Sequence, residues 1–187
     1  MNIQKFGVKL FFNTNGSINS KDFIPVFHSW IQDNIFDDHL LIDVADYSHI
    51  LDGPGVMLIS HEGHFSLDQE GLQPGFMYMR KTEIAGSFTE RFNMVLSTVI
   101  KAANRLSDNN ISKQVDFKPN SLRFIANDRL YAENTVDNQD LYKQKIQKSL
   151  EGKYPGIQLK LRDYSDDNER LAFTVSFSND IDIFEEN

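Results

Sequence analysis

LLIDVADYSHILDGPGVMLISHEGHFSLDQE, residues 40–70, mixes strand-forming apolar residues with clustered Asp, His, Tyr and Gly. Residues 40–47 read as a strand. Their apolar side chains fall on both faces, which points to a central strand rather than an edge. Asp52, Gly53, Pro54 and Gly55 form a turn. Residues 56–60 and 64–68 then read as a hairpin around Glu62 and Gly63. A two-residue loop at Glu62 and Gly63 pairs His61 with His64. A three-residue loop with Gly63 in the left-handed conformation pairs Ser60 with His64 instead. The second register is preferred because it gathers Met57, Ile59, Phe65 and Leu67 on one apolar face. It leaves Ser60, His64, Ser66 and Asp68 on the other face, with Val56 and Leu58.

Upstream, Phe6, Val8, Leu10 and Phe12 alternate as in a half-buried strand. A helix over residues 23–35 follows, with Asp22 as its N-cap and Phe23, Phe27, Trp30, Ile31 and Ile35 on one side. Downstream, residues 76–80 make a short strand with Met77 and Met79 on its less buried face. Ser87 and Glu90 form a capping box before a long amphipathic helix that ends at Asn109 and Asn110. Residues 121–127 alternate, and residues 139–152 carry a thin stripe of Tyr142, Ile146 and Leu150 capped by Asp137 or Asn138. Ile157, Leu159 and Leu161, then Leu171, Phe173, Val175 and Phe177, alternate around a turn at Asp166, Asp167 and Asn168. The order strand, helix, strand, strand thus occurs twice. It predicts an α+β protein of two β-α-β-β units, with mostly antiparallel sheet, helices packed on one face and an extra central helix between the units. The expectation is a single domain over residues 1–187, with halves 1–86 and 115–178 joined by the helix at 87–108.

The chain has 187 residues and a formal net charge of −8. Its Lys and Arg residues are scattered, so no basic face is offered to nucleic acid or to an anionic membrane. The sequence contains no Cys, which excludes a disulfide framework, a thiolate zinc site and a Cys nucleophile. The N-terminus lacks the apolar run of about 7–15 residues that marks a signal peptide, and no window reaches the roughly 18–20 apolar residues of a membrane span. A soluble, cytoplasmic protein is expected.

The segments IPVFHSWIQ, LLIDVADYSHILDGPGVMLISHEGHFSLD and FMYMRK resemble a family of uncharacterised bacterial proteins. That family's pattern runs IPVFHxWIQ, LLIDVADYSH, GPGVML, HE and SLD. The resemblance covers the first half closely and the second half in outline. It implies a bacterial protein of similar length and carries no assigned activity, cofactor or catalytic residue. The family position matching His64 is not histidine, so the resemblance does not make His64 a family-wide ligand.

Ionisable groups concentrate in the same stretch. The candidates for catalysis are Asp43, Asp46, Tyr47, His49, His61 and Glu62. The candidates for metal ligation are His49, His61 and His64. Alternation puts Asp43 and Tyr47 on one face and Asp46 on the other. A carboxylate within an apolar strand needs a donor or a cleft. His61 and His64 lack the H-E-x-x-H spacing that sets two histidines on one helix face, and the preferred hairpin register separates them. Gly53, Pro54 and Gly55 lead into a strand rather than a helix, so they do not make a phosphate loop. No cofactor is predicted; a divalent metal is the one this set could hold. The leading expectation is an accessory protein that binds a small ligand or a protein partner, with a homodimer through a sheet edge as one form of partner. The rival is a metal-dependent hydrolase, which requires at least three of these side chains to converge in one concave pocket.

Overall fold

A computed structural model of the chain describes residues 3–13, 18–108, 115–163, 169–178 and 182–184. The expected helix end at Asn109 and Asn110, the turn at Asp166, Asp167 and Asn168, and most of the acidic tail lie outside the described residues. The first strand forms as β1 (Phe6–Phe12), but it is buried on both faces and not half-buried, because β5 and β6 flank it and its second face is covered as well. Phe6, Val8, Leu10 and Phe12 enter the main core, and Gly7, Lys9 and Phe11 take the opposite face. The other strands are β2 (Leu41–Tyr47), β3 (Gly55–Ser60), β4 (Gly63–Asp68), β5 (Gly75–Arg80), β6 (Phe117–Ala126), β7 (Leu159–Asp163) and β8 (Ala172–Phe177).

All eight strands form one sheet in the order β2-β3-β4-β5-β1-β6-β8-β7. Every recorded pairing is antiparallel. The doubled order of elements is therefore visible in three dimensions. In the first half the chain leaves β1, forms a helix, and returns through the β2–β5 meander to lie beside β1. In the second half it leaves β6, forms a helix, and returns through β7 and β8 to lie beside β6. Pairing of β1 with β6 fuses the halves into one sheet.

The helices α1 (Ile24–Gln32), α2 (Phe88–Ser107) and α3 (Val136–Lys153) bury their apolar stripes in the same core as Phe6, Val8 and Leu10. All three thus cover one face of the sheet. The α2 capping box forms as the sequence indicates: the Ser87 hydroxyl accepts from the Glu90 N–H, and the Glu90 carboxylate accepts from the Ser87 N–H. Two caps differ from expectation. A 3-10 turn, Ser20–Phe23, precedes α1, and Asn19 rather than Asp22 caps it; the Asn19 side chain accepts from the Lys21 N–H and donates to Asp22. Thr135 caps α3 by accepting the Asn138 N–H. None of the described helices is long and apolar enough to cross a membrane.

The core is aromatic at its centre. Phe124 of β6 is fully buried, with its ring 5.4 Å from Phe6, 6.2 Å from Phe88 and 6.2 Å from Phe173. Both halves and α2 meet at this side chain. Burying one such ring contributes about 1.5–3 kcal/mol by removal from water alone.

Two expectations for residues 40–70 are corrected. First, β2 is an edge strand, not a central one. Its apolar residues on both faces do not mean burial on both faces: Ile42 is 55% exposed and Leu40, just before the strand, is 64% exposed. Second, the β3–β4 hairpin adopts neither expected register. Ile59 pairs with His64, Leu58 with Phe65 and Met57 with Ser66. The tip is His61 and Glu62. Gly63 belongs to the strand and is not among the positive-φ glycines. The Ser60 hydroxyl closes the tip by donating to the Gly63 carbonyl (2.8 Å) and accepting the Gly63 N–H (3.1 Å). Gly63 has no side chain because the Tyr78 ring packs there; an added Cβ would lie 2.8 Å from Tyr78 Cε2. The shift of one residue puts Val56, Leu58, Phe65 and Leu67 in the core. Met57, Ile59, His64, Ser66 and Asp68 move together to the helix-free face.

Candidate functional site

The helix-free face is not bare. Side chains from neighbouring strands line up in rows across it. Met57, Ser66 and Met77 make one row, and Ile59, His64 and Met79 the next. Beyond Met77 lies Lys9, and beyond Lys9 lies Arg123. Met77, Met79, Ile125 and Ala172 form a small apolar cluster of their own on this side.

Lys9, Asp68, Ser66 and Arg123 are all buried, although no helix covers them. The β4–β5 connection, residues 69–74, lies against Lys9 and Arg123. The Glu70 carbonyl accepts from Lys9 Nζ (3.2 Å), and the Gln73 side chain accepts from Arg123. The connection is held in turn by the turn between β2 and β3: Gln69 N–H donates to the Gly53 carbonyl (2.9 Å) and Gly71 N–H to the Asp52 carboxylate (2.6 Å). Arg170, from the residues before β8, donates from one guanidinium nitrogen, Nη2, to both carboxylate oxygens of Glu70, at 2.9 and 2.8 Å. The contact is a charge-assisted hydrogen bond that ties Arg170 to the β4–β5 connection.

Lys9 and Asp68 form the ion pair of the site, at 2.5 Å, with side chains 0% and 3% exposed. Lys9 starts on β1 and must cross β5 to reach β4. Gly75 makes the crossing possible, because a Cβ there would stand 2.9 Å from Lys9 Cε. Burial pushes the Asp68 carboxyl up and the Lys9 ammonium down, and the attraction between them opposes both shifts.

Between this covered half and β3 lies a cleft of about 360 Å³, lined by Met57, Ser66, Met77, Met79, His64, Asp68, the Asp52–Pro54 turn, Glu70 and Arg170. Two polar atoms in its lining, His64 Nδ1 and Ser66 Oγ, have no hydrogen-bond partner among the described residues. Ser66 is 1% exposed. A buried hydroxyl without a partner forfeits the hydrogen bond it would have in water, at about 1–3 kcal/mol. Burial, with the nearby Lys81 charge second, pushes His64 below its ordinary value and keeps the ring neutral. The folded state therefore takes up the His64 proton less readily than the unfolded chain. The contribution of neutral His64 is complete above its unfolded pKa near ~6.5 and is lost as pH falls through the lowered folded value. Thermal midpoints at two pH values flanking this range check it. The wild type is expected to lose more on acidification than His64→Gln, and equal losses would mean that His64 is solvated.

A second buried polar network lies on the helix side. His39, 4% exposed, bonds Asp38 through Nδ1 (2.9 Å) and the Tyr78 hydroxyl through Nε2 (2.7 Å). The carboxylate fixes the proton on Nδ1, so Nε2 accepts from Tyr78. Arg80 donates to the same phenol oxygen (3.3 Å). Burial pushes the Tyr78 phenol up to about 12. The Tyr78 oxygen is already bonded to His39 and Arg80, so the network is closed and acts in packing. Sequence reasoning did not single out His39. Its signal was Tyr78, whose core-facing hydroxyl requires a partner.

The residues singled out by sequence are mostly dispersed. Asp43 is exposed on the edge strand, and its carboxylate accepts the Val44 N–H (2.8 Å). One backbone donor of this edge is thereby satisfied locally, a common protection of edge strands. Asp46 accepts the Ser48 N–H (2.8 Å), a bond that holds its carboxyl below the usual range, and Lys21 stands 3.9 Å away. Tyr47 and His49 are exposed neighbours with rings 6.4 Å apart. His61 is exposed at the hairpin tip, and the Glu62 carboxylate accepts the Leu40 N–H (2.8 Å). Of the whole set, His64 alone lines the cleft. Among the described residues no three His, Asp or Glu side chains are grouped so as to hold a metal ion. Reasoning from sequence missed Lys9, Met57, Met77, Met79 and Arg170 as parts of one site. Comparison with protein-family models gives no match, and comparison with curated proteins gives none either.

Proposed function

We propose that the protein is a binding module whose ligand is a small molecule held in the cleft on the helix-free face of the sheet. The observation that carries this reading is the pair of unpartnered polar atoms, Ser66 Oγ and His64 Nδ1, set among the thioethers of Met57, Met77 and Met79. A cleft of about 360 Å³ falls within the range of ligand sites, about 300–1,000 Å³, that are mostly apolar with a few placed polar groups. Methionine suits such a floor because its unbranched, polarizable side chain adapts to the molecule above it. The dispersal of Asp43, Asp46, Tyr47, His49, His61 and Glu62 supports binding over metal-dependent hydrolysis, which needs its groups together. A bacterial, cytoplasmic setting is part of the same proposal; its bacterial part rests on the resemblance described above.

The test is a thermal-shift screen with a library of small amphipathic fragments against the wild type and Ser66→Leu. The leucine side chain fills the cleft from the middle of its floor. Fragments that raise the midpoint of the wild type are expected to leave that of Ser66→Leu unmoved. Stabilisation that is the same in both proteins, or no stabilising fragment at all, would overturn the reading.

A further inference from the structure

We infer that the ligand of this cleft is an uncharged molecule built on a flat ring, with hydrogen-bonding atoms that meet Ser66 and His64. The inference rests on the binding reading above and narrows it to a ligand class. The two ion pairs at the cleft are closed within the protein, and the Asp52 carboxylate at the rim is exposed. Asp68 is held by Lys9, Glu70 by Arg170, and the Asp52 carboxylate by the Gly71 N–H. An anionic ligand would face these three carboxylates, and the Arg170 charge is already shared with Glu70. A cationic ligand would meet the solvated Asp52 carboxylate at the rim, and inside the cleft would have to draw Asp68 from Lys9 or Glu70 from Arg170, leaving a charge without its partner. An uncharged ligand breaks neither pair.

The floor adds shape. Ser66 is a short side chain between Met57 and Met77 in one cross-strand row, so the floor dips at a hydroxyl and rises at two thioethers. Thioether sulfur makes favourable contacts with aromatic rings at about 5 Å. His64 and Ser66 are two residues apart on β4, so their side chains leave the same face about 7 Å apart. A purely aliphatic chain would cover the thioethers but leave both polar atoms without partners. A ring bearing an amide or a similar neutral donor and acceptor satisfies them and covers the sulfurs.

A matched probe set tests this: 2-naphthamide, 2-naphthoate and 2-naphthamidine, which share a ring and differ in charge near neutral pH. The readout is NMR of protein labelled at the methionine methyl carbons. The chain has five methionines. Met57, Met77 and Met79 line the cleft, while Met94 lies beside Asp37 and Asp38 on the helix side and serves as the control. The naphthamide is expected to move the three cleft methyls and not Met94, with a dissociation constant at least about tenfold below those of the two charged probes. In Ser66→Ala its affinity is expected to fall, with those of the charged probes unchanged. A charged probe that moves the cleft methyls with equal or higher affinity would overturn the ligand class while leaving the cleft as a binding site. If no probe moves those methyls, the ring-based class is wrong. The cleft reading is then judged separately, by the fragment screen with Ser66→Leu.

Discussion

Lys9→Met is expected to destabilise the protein by about 3–5 kcal/mol, as is Asp68→Leu, whereas the double variant is expected to come within about 1 kcal/mol of wild type or exceed it. The reason lies in what each change leaves behind. Lys9→Met leaves the Asp68 carboxylate at 2% exposure with its cation gone. Asp68→Leu leaves an ammonium with 0% exposure beside a leucine. A lone buried charge is far costlier than a buried pair, because its lost hydration is no longer offset by attraction. The double variant removes both charges and puts methionine and leucine on a face that already holds Met77, Met79 and Ile125. Urea unfolding of the four proteins measures the coupling directly. Single effects below about 1 kcal/mol that simply add would mean that the pair is exposed to water.

Phe124→Ala is expected to cost about 3–5 kcal/mol, the range for removing a buried aromatic ring. This is a large part of the total stability of a domain, about 5–15 kcal/mol. Phe124 sits where the two halves of the sheet meet, against Phe6 of β1, Phe88 and Phe92 of α2, Tyr142 of α3 and Phe173 of β8. Because β1 and β6 pair directly across this junction, the loss is expected to be felt by both halves at once. Tryptophan fluorescence reports Trp30 in the first half, and far-ultraviolet circular dichroism reports the whole chain. Both are expected to give one coincident transition at a lowered midpoint. Two separated transitions would make residues 1–86 and 115–178 independent folding units.

The fold was legible in the sequence wherever a local rule decides it. The alternation of Phe6, Val8, Leu10 and Phe12 defines β1 because period two is the signature of a strand, although the burial of its other face, with Lys9 and Phe11, was not legible there. Ser87 and Glu90 mark the start of α2 because the capping box is made entirely from neighbours in the chain. Where a distant partner decides, the sequence was silent or misleading. Two apolar faces on β2 suggested a central position, but edge or centre depends on which strands return beside it. The β3–β4 register turned on Ser60, whose hydroxyl binds both polar groups of Gly63, and on the Tyr78 ring, which arrives from β5 and excludes a side chain at residue 63.

The site was less legible than the fold for the same reason. The grouping of His64, Ser66 and Asp68 on one face follows from spacing alone. Their burial does not. For Asp68 it comes from Lys9, which reaches it across β5 from a residue 59 positions away in sequence and is itself held by the Glu70 carbonyl. Dense ionisable residues drew attention to Asp43, His49 and His61 instead. Density in sequence places groups on alternate faces of a strand or at an exposed tip, and neither brings them together.

A crystal structure with the most stabilising fragment from the screen tests the central claim most directly. The account predicts the fragment on the helix-free face, seated over Ser66 between Met57 and Met77, with a polar atom within hydrogen-bond distance of Ser66 Oγ or His64 Nδ1. A fragment bound instead on the helix side, beside Asp37, Asp38 and Lys101, with the cleft holding only water, would contradict it.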